Sequence, residues 1–306
     1  MTPTKVIYIC GASRGGTTIL GRLLGSMDGH VFAGEVRHLW RGVLSGRACG
    51  CGAPHRDCEL WGRVLDAELR FEGLDAGRLA QIQTEAVPLR HAWRGTRGIL
   101  KAQLPAASTP RGRYARLMAR LYERISAVTG GSTVVDSAKR PIEAALLSHV
   151  GDLEITVVHV IRDPRGMVLS NLTRTVEAPR ERPHPRRTGY FAASWVARNR
   201  ASQSVREAAG SAGTLIKHEV WVADPAATLR SAFAGTPVEL AGLPLEDHHA
   251  QLRPGHAPRG NGNQRAGTVA IRREEPWRFE LHPADRALTT AITLPMLLRY
   301  GYRLSL

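Results

Sequence analysis

Lysine is almost missing from this chain. Of 42 lysine and arginine residues only Lys5, Lys101, Lys139 and Lys217 are lysine, so the formal net charge of +15 is carried by arginine. The arginines are scattered rather than gathered in one run with interleaved aromatics, which argues against a nucleic-acid surface. A high-GC genome accounts for most of them and leaves some charge for binding an anion. No run approaches the roughly 20 apolar residues that a membrane span requires, and the first apolar run, residues 6–10, is too short for a signal peptide. Four cysteines fit a reducing compartment and not a disulfide framework. The expectation is a cytoplasmic protein with neither a membrane span nor a nucleic-acid partner. Aromatics are only 6% of the chain, yet 43% of its 306 residues are hydrophobic, enough for the core of one large domain.

The pattern along the chain predicts alternating strands and helices. Residues 6–10 (VIYIC) read as a buried strand ending at Gly11, followed by a helix from Thr17 or Thr18 to Met27. Residues 31–32 form a second short strand stopped by Gly34. Residues 61–128 are helical with breaks, clearest over 114–128, where Leu117, Leu121 and Ile125 recur at spacing four. Further strands are expected at 133–136, 155–161 and 214–217, with helices at 167–175, 190–209 and 286–299. Residues 176–189, rich in proline and arginine, read as a mobile loop or lid, and 242–265 as irregular. Strands apolar on both faces and separated by helices imply an α/β fold, a central parallel sheet flanked by helices. There is no clean linker, so residues 1–306 are taken as a single domain with a helical insertion around 61–128. In such sheets ligands sit at the carboxyl ends of strands.

The first strand–helix turn reads Gly11-Ala12-Ser13-Arg14-Gly15-Gly16-Thr17-Thr18. Three glycines and a helix start make an anion site. The spacing is that of the nucleotide-triphosphate loop except that Thr17 stands where the lysine for the β- and γ-phosphates should be. That absence disfavours ATP or GTP hydrolysis and favours a shorter anion such as a 5′-phosphosulfate. The strand at 155–161 (ITVVHVI) runs directly into Arg162-Asp163-Pro164-Arg165, with Ser170 eight residues after Arg162. A strand-end arginine and a hydroxyl two helical turns on can converge on one phosphate.

These motifs resemble those of the PAPS-dependent sulfotransferases. SRGGTTIL is similar to their 5′-phosphosulfate loop, with Gly15 where a serine is usual, and the R-D-P turn with its serine to their 3′-phosphate motif. The resemblance implies a P-loop-like fold of the sulfotransferase and nucleotide-kinase type, and transfer of a sulfuryl group from PAPS to a hydroxyl of a small acceptor, leaving PAP. The acceptor class (carbohydrate, glycolipid or secondary metabolite) is open, and residues 61–128 and 176–189 are expected to shape its pocket. Ser13, Arg14, Gly15, Gly16, Thr17 and Thr18 would hold one end of the donor, Arg162 and Ser170 the other. Arg265 and Gly267 correspond to a late basic contact. Residues 134–139 (VDSAK at their end) resemble a segment of bacterial members in which Lys139 stabilises donor charge; otherwise Asp136 or Ser137 caps a helix and Lys139 is solvated. Residues 215–219 resemble a further family strand, with His218 in place of a tyrosine.

Sulfuryl transfer needs a base for the acceptor proton and positive charge for the leaving phosphate. Glu35, just after the second strand, resembles the catalytic glutamate of carbohydrate-acting and bacterial members; Arg14 completes the catalytic charge and His38 is the alternative base. The other reading of Glu35 is a residue complementing a helix dipole. His159, inside a strand, reads as a core histidine. Cys49, Cys51, Cys58 and His55 can supply four tetrahedral ligands to zinc, but their spacing departs from paired C-x-x-C and similar cysteines occur in the resembled family without metal, so no metal is expected in the reaction. The competing function is a kinase or NTPase with a degenerate phosphate loop. Nothing in the sequence sets the oligomeric state.

Overall fold

The structure is a computed structural model that describes residues 3–72, 75–87, 92–176, 179–258 and 266–304. Five strands, β1 (Thr4–Gly11), β2 (His30–Gly34), β3 (Thr133–Asp136), β4 (Leu153–Ile161) and β5 (Gly213–Lys217), form one sheet in the order β2-β3-β1-β4-β5. All neighbours pair parallel. Strand β1 shows why. Val6, Tyr8 and Cys10 enter one core cluster, while Ile7 and Ile9 enter another on the opposite face, so both faces of the strand must be covered.

The first face is covered by α2 (Leu39–Leu44), α3 (Glu59–Glu72), α4 (Ala76–Ala86), α5 (Ala92–Lys101), α6 (Pro110–Thr129) and α7 (Pro141–Leu147). Helix α6 carries a complete set of end signals. The Thr109 side chain accepts from Gly112 N–H, Pro110 opens the first turn, and Gly130 closes the helix in the left-handed conformation. The second face is covered by α1 (Thr17–Gly25), with α10 (His218–Ala223) and α11 (Pro225–Phe233). Helices α8 (Pro164–Leu172), α9 (Pro185–Ala208), α12 (Trp277–Glu280) and α13 (Pro283–Arg299) enclose a third cluster around Ile161.

Two sequence expectations need correction. Residues 185–189 are not loop: Pro185, tolerated in a helix's first turn, opens the 24-residue α9. The stretch expected to be irregular over 242–265 contains β6 (Leu245–Glu246) and β7 (His249–Leu252), which pair antiparallel with β8 (Gly267–Ala270). The short alternation of HAQL drives this, turning Ala250 and Leu252 into the core.

Chain direction across the sheet reverses between β1, whose connection leads toward β2, and β4, whose connection leads to β5. The carboxyl ends of these two strands therefore flank the crevice where open α/β sheets bind ligands. Among the described residues no helix is long and apolar enough to cross a membrane.

Candidate active site

The turn after β1 sits at this crevice. Its helix, α1, begins without a side-chain cap, so its first N–H groups are left to an external acceptor. Gly16 has φ 81°, and a Cβ there would lie 2.5 Å from Nδ1 of His218. Glycine is required by both backbone and space. Ser13, Arg14 and Thr18 are exposed at the turn, whereas Gly15 and Thr17 are buried. Arg14 itself adopts φ 67°, a conformation costing about 1–2 kcal/mol outside glycine. It is held there: Arg162 Nη1 donates to the Arg14 carbonyl at 3.0 Å, and Arg14 Nε donates to Ser170 Oγ at 2.8 Å.

The turn after β4 is fixed from several sides. The Asp163 carboxylate accepts from Arg165 N–H, and Arg165 Nε and Nη2 grip it at 3.0 and 2.7 Å. Asp163 N–H donates to Glu219 Oε1 at 2.8 Å, while Tyr302 OH donates to the other Glu219 oxygen at 3.0 Å. Trp195 Nε1 donates to the Arg162 carbonyl at 3.0 Å. Asp163 and Arg165 are thus occupied with each other, and Arg162 is the cation this turn offers to the crevice. Burial, then Arg174 and Arg162, press the Arg14 guanidinium below its ordinary pKa. Three arginines converging in this way favour an anion between them.

Glu35 follows β2 and reaches across the end of β3. Lys139 Nζ donates to Oε1 at 2.6 Å, and His38 Nε2 and Arg37 Nη2 lie 3.3 and 3.4 Å from Oε2. Burial raises the Glu35 pKa, but His38, Lys139 and Arg37 outweigh it and bring the carboxyl down to about 2. Lys139 is buried rather than solvated, with φ 61°, and its N–H donates to the Ile9 carbonyl of β1 at 3.1 Å. This ties the Glu35 cluster to the strand that carries the anion turn. Asp136 does not cap a helix; it accepts from Ala138 N–H and from Tyr122 OH, both at 2.7 Å. A cleft of about 290 Å³ opens beside His38, lined by Arg41, Ser45, Arg47 and Pro258 among others.

Of the predicted residues, Arg14 contacts both Arg162 and Ser170, and Glu35 contacts both His38 and Lys139. Arg265 lies outside the described residues, and Gly267 starts β8. His159 is a core residue bonded to Asn199 Oδ1 at 2.9 Å, with burial lowering its pKa to about 4. His55 is not with the cysteine thiols: its Nε2 faces the Pro258 carbonyl at 3.1 Å. Sequence reasoning missed Arg37, Arg174 and Arg198. Arg37 stands two residues from Glu35 and Arg174 one helical turn beyond Ser170, a usable signal. Arg198, on α9, is brought toward Glu35, Arg37 and Arg140 only by the fold; burial and then those two arginines lower its pKa. His218 is a half-buried imidazole whose Nδ1 has no hydrogen-bond partner among the described residues and whose pKa falls to about 4, by burial and then by Arg162.

No protein-family model and no curated protein matches the sequence. Among solved structures, the chain is similar to the sulfotransferase domain of the Synechococcus PCC 7002 olefin synthase, with 16% identity over 99% of this chain and 97% of the other and a TM-score of 0.48. The sulfotransferase domain of the curacin biosynthetic pathway aligns over all of both chains at 12% identity and a TM-score of 0.45. A sulfotransferase of Mycobacterium avium aligns over 99% of this chain and 79% of its own at 16% identity and a TM-score of 0.46.

Proposed function

We propose that the protein moves a sulfuryl group from PAPS to a hydroxyl of a small acceptor. The observation that carries this reading is the junction of two anion-binding turns. The lysine-less turn after β1 and the Arg162 turn after β4 share Arg14, which touches both the Arg162 guanidinium and Ser170. Anion donors spaced along one crevice suit a nucleotide with a 5′-phosphosulfate at one end and a 3′-phosphate at the other. Residues 13–18 hold the first, and Arg162 and Ser170 the second.

In the transfer the acceptor oxygen bonds to sulfur, the bond from sulfur to the 5′-phosphate oxygen breaks, and PAP leaves. Glu35 accepts the hydroxyl proton, with His38 as its neighbour and alternative. Lys139 and Arg14 offset charge on the leaving phosphate. A carboxylate paired with an ammonium is a poor base, so an anion that draws Lys139 away makes Glu35 a better one. The cleft beside His38 receives the acceptor.

The test is calorimetry with PAP, ADP and ATP without added Mg²⁺. PAP is expected to bind more tightly than ADP by roughly ten- to a hundredfold, the worth of charge-assisted hydrogen bonds at about 1.5–3 kcal/mol. Arg162→Ala should erase most of that difference while leaving ADP affinity nearly unchanged. Equal affinity for PAP and ADP in the parent would remove the 3′-phosphate assignment, and Mg²⁺-dependent ATP binding tighter than PAP would favour a kinase or NTPase.

A further inference from the structure

The thiols of Cys49, Cys51 and Cys58 meet an imidazole from a segment some two hundred residues away. The ligand atoms of these cysteines and of His256 all lie within 4.8 Å of one another. Cys58 Sγ is 3.6 Å from Cys49 Sγ and 3.2 Å from His256 Nδ1. A tetrahedral zinc with Zn–S near 2.3 Å and Zn–N near 2.0–2.1 Å spaces two sulfurs about 3.8 Å apart and sulfur and nitrogen about 3.6 Å apart. The Cys49–Cys58 separation lies within about 0.2 Å of that spacing and the Cys58–His256 separation about 0.4 Å inside it, and the Cys49–Cys58 sulfurs are much farther apart than a disulfide's roughly 2.05 Å.

The backbone around these residues is built to hold the set. Cys49 N–H donates to the Ala53 carbonyl at 2.8 Å and Gly52 N–H to the Cys49 carbonyl at 2.9 Å, folding residues 49–53 into a tight knuckle. Gly50 N–H donates to the Ala257 carbonyl at 3.0 Å, and Trp61 Nε1 donates to the His256 carbonyl. These bonds deliver the His256 ring to the thiols from the far side. Cys49 and Cys58 are buried, and Cys51 closes the cluster at the surface.

We infer that Cys49, Cys51, Cys58 and His256 bind one Zn²⁺ ion. Three thiols release their protons to solvent and bind as thiolates, and neutral His256 binds through Nδ1. Three soft sulfurs with one imidazole in tetrahedral array select zinc. With all four positions filled by protein the ion is structural, not catalytic. Its consequence reaches the crevice, because the residue after His256 packs on the residue before Glu35. A Cβ on Gly34 would lie 2.3 Å from the Ala257 Cβ, and Pro258, next along, lines the cleft beside His38. The ion pins residues 256–258 in that position. This inference stands whatever the reaction is.

The experiment is metal analysis of the full chain purified without chelator from zinc-supplemented culture. About one zinc per chain is expected. Cys58→Ser and His256→Gln should each lower the content roughly tenfold or more, whereas His55→Gln should keep it. On the unaltered protein, which avoids any failure of a variant to fold, mercurial titration should release the zinc as three thiols react. Reconstitution with Co²⁺ should give the strong visible absorption of a tetrahedral thiolate site. Zinc well below one equivalent after supplementation, full zinc in His256→Gln, or a Cys49–Cys58 disulfide in peptide maps of the native protein would overturn the assignment.

Discussion

Replacing Lys139 by methionine keeps most of the side-chain stem and removes the ammonium that lies 2.6 Å from Glu35. The distance from an ordinary 4.5 down to about 2 corresponds to about 3.4 kcal/mol of preference for the Glu35 carboxylate. Burial opposes that preference, so the His38 hydrogen bond, the charge and hydrogen bond of Lys139, and Arg37 together exceed it. An opposite charge this close typically lowers a carboxylate by about one to three pKa units. Lys139→Met should therefore bring Glu35 up to about 3–5, and burial then acts with less opposition. The assay is a carbon-13 NMR titration of the glutamate carboxyl carbons, with Glu35→Gln identifying the signal. Stability gives a second reading. Because the folded pKa lies below the unfolded one, pairing stabilises the protein above about pH 4.5 and is lost as pH falls toward 2. The variant should lose part of that stabilisation at neutral pH and show a shallower acid limb between those values. A Glu35 midpoint in Lys139→Met within a few tenths of the parent's would refute the reasoning.

Gly16→Ala forces φ 81° on a residue with a Cβ and sets its methyl against the His218 ring. It should destabilise the fold by about 2–4 kcal/mol, with about 1–2 of that conformational, measured by denaturant unfolding. Adding His218→Ala should return the steric part and leave the conformational part; a neutral Gly16→Ala would contradict both. Asp136 is pushed up to about 8, by burial and then by Glu143. A raised carboxyl stabilises most below its unfolded pKa, so its contribution declines as pH rises from about 4 to about 8. Asp136→Asn should flatten the stability profile across that window relative to the parent, and parallel profiles would show that Asp136 does not titrate there.

The strands were the most legible part of the fold. VIYIC, TVVD and ITVVHVI are runs apolar on both faces, and with helices between them such runs point to a covered parallel sheet. Elements were extended or missed where end chemistry overrode composition. The proline-rich run before Tyr190 looked like loop throughout, yet a proline in the first helical turn costs nothing there and lets α9 begin at Pro185. HAQL is too short to register as a strand without its partner β8. The candidate site was legible where its residues follow strands in sequence, as Arg14, Glu35, Lys139 and Arg162 do. It was not legible where partners come from helix interiors or distant segments. Arg198 has no local mark, and His55 was paired with the cysteines because it is near in sequence, while His256 is near in space.

The scarcity of lysine acquires a physical meaning at the crevice. Arg14, Arg162 and Arg174 crowd one another, and Arg37, Arg140 and Arg198 do so on the Glu35 side. Crowded cations of this kind repel one another, and a lysine under the same pressure can lose its proton, whereas arginine keeps its charge. Only Lys139 stands among them, and it is held by the carboxylate that the proposed reaction needs as a base. Under the proposed function, an anionic ligand would relieve the repulsion among the arginines and compete for that one ammonium. On that reading, ligand binding and the basicity of Glu35 would be coupled through the 2.6 Å Lys139 contact, beside those of His38 and Arg37, and an arginine turned toward the same carboxylate, with its bidentate grip, would perform that role less well.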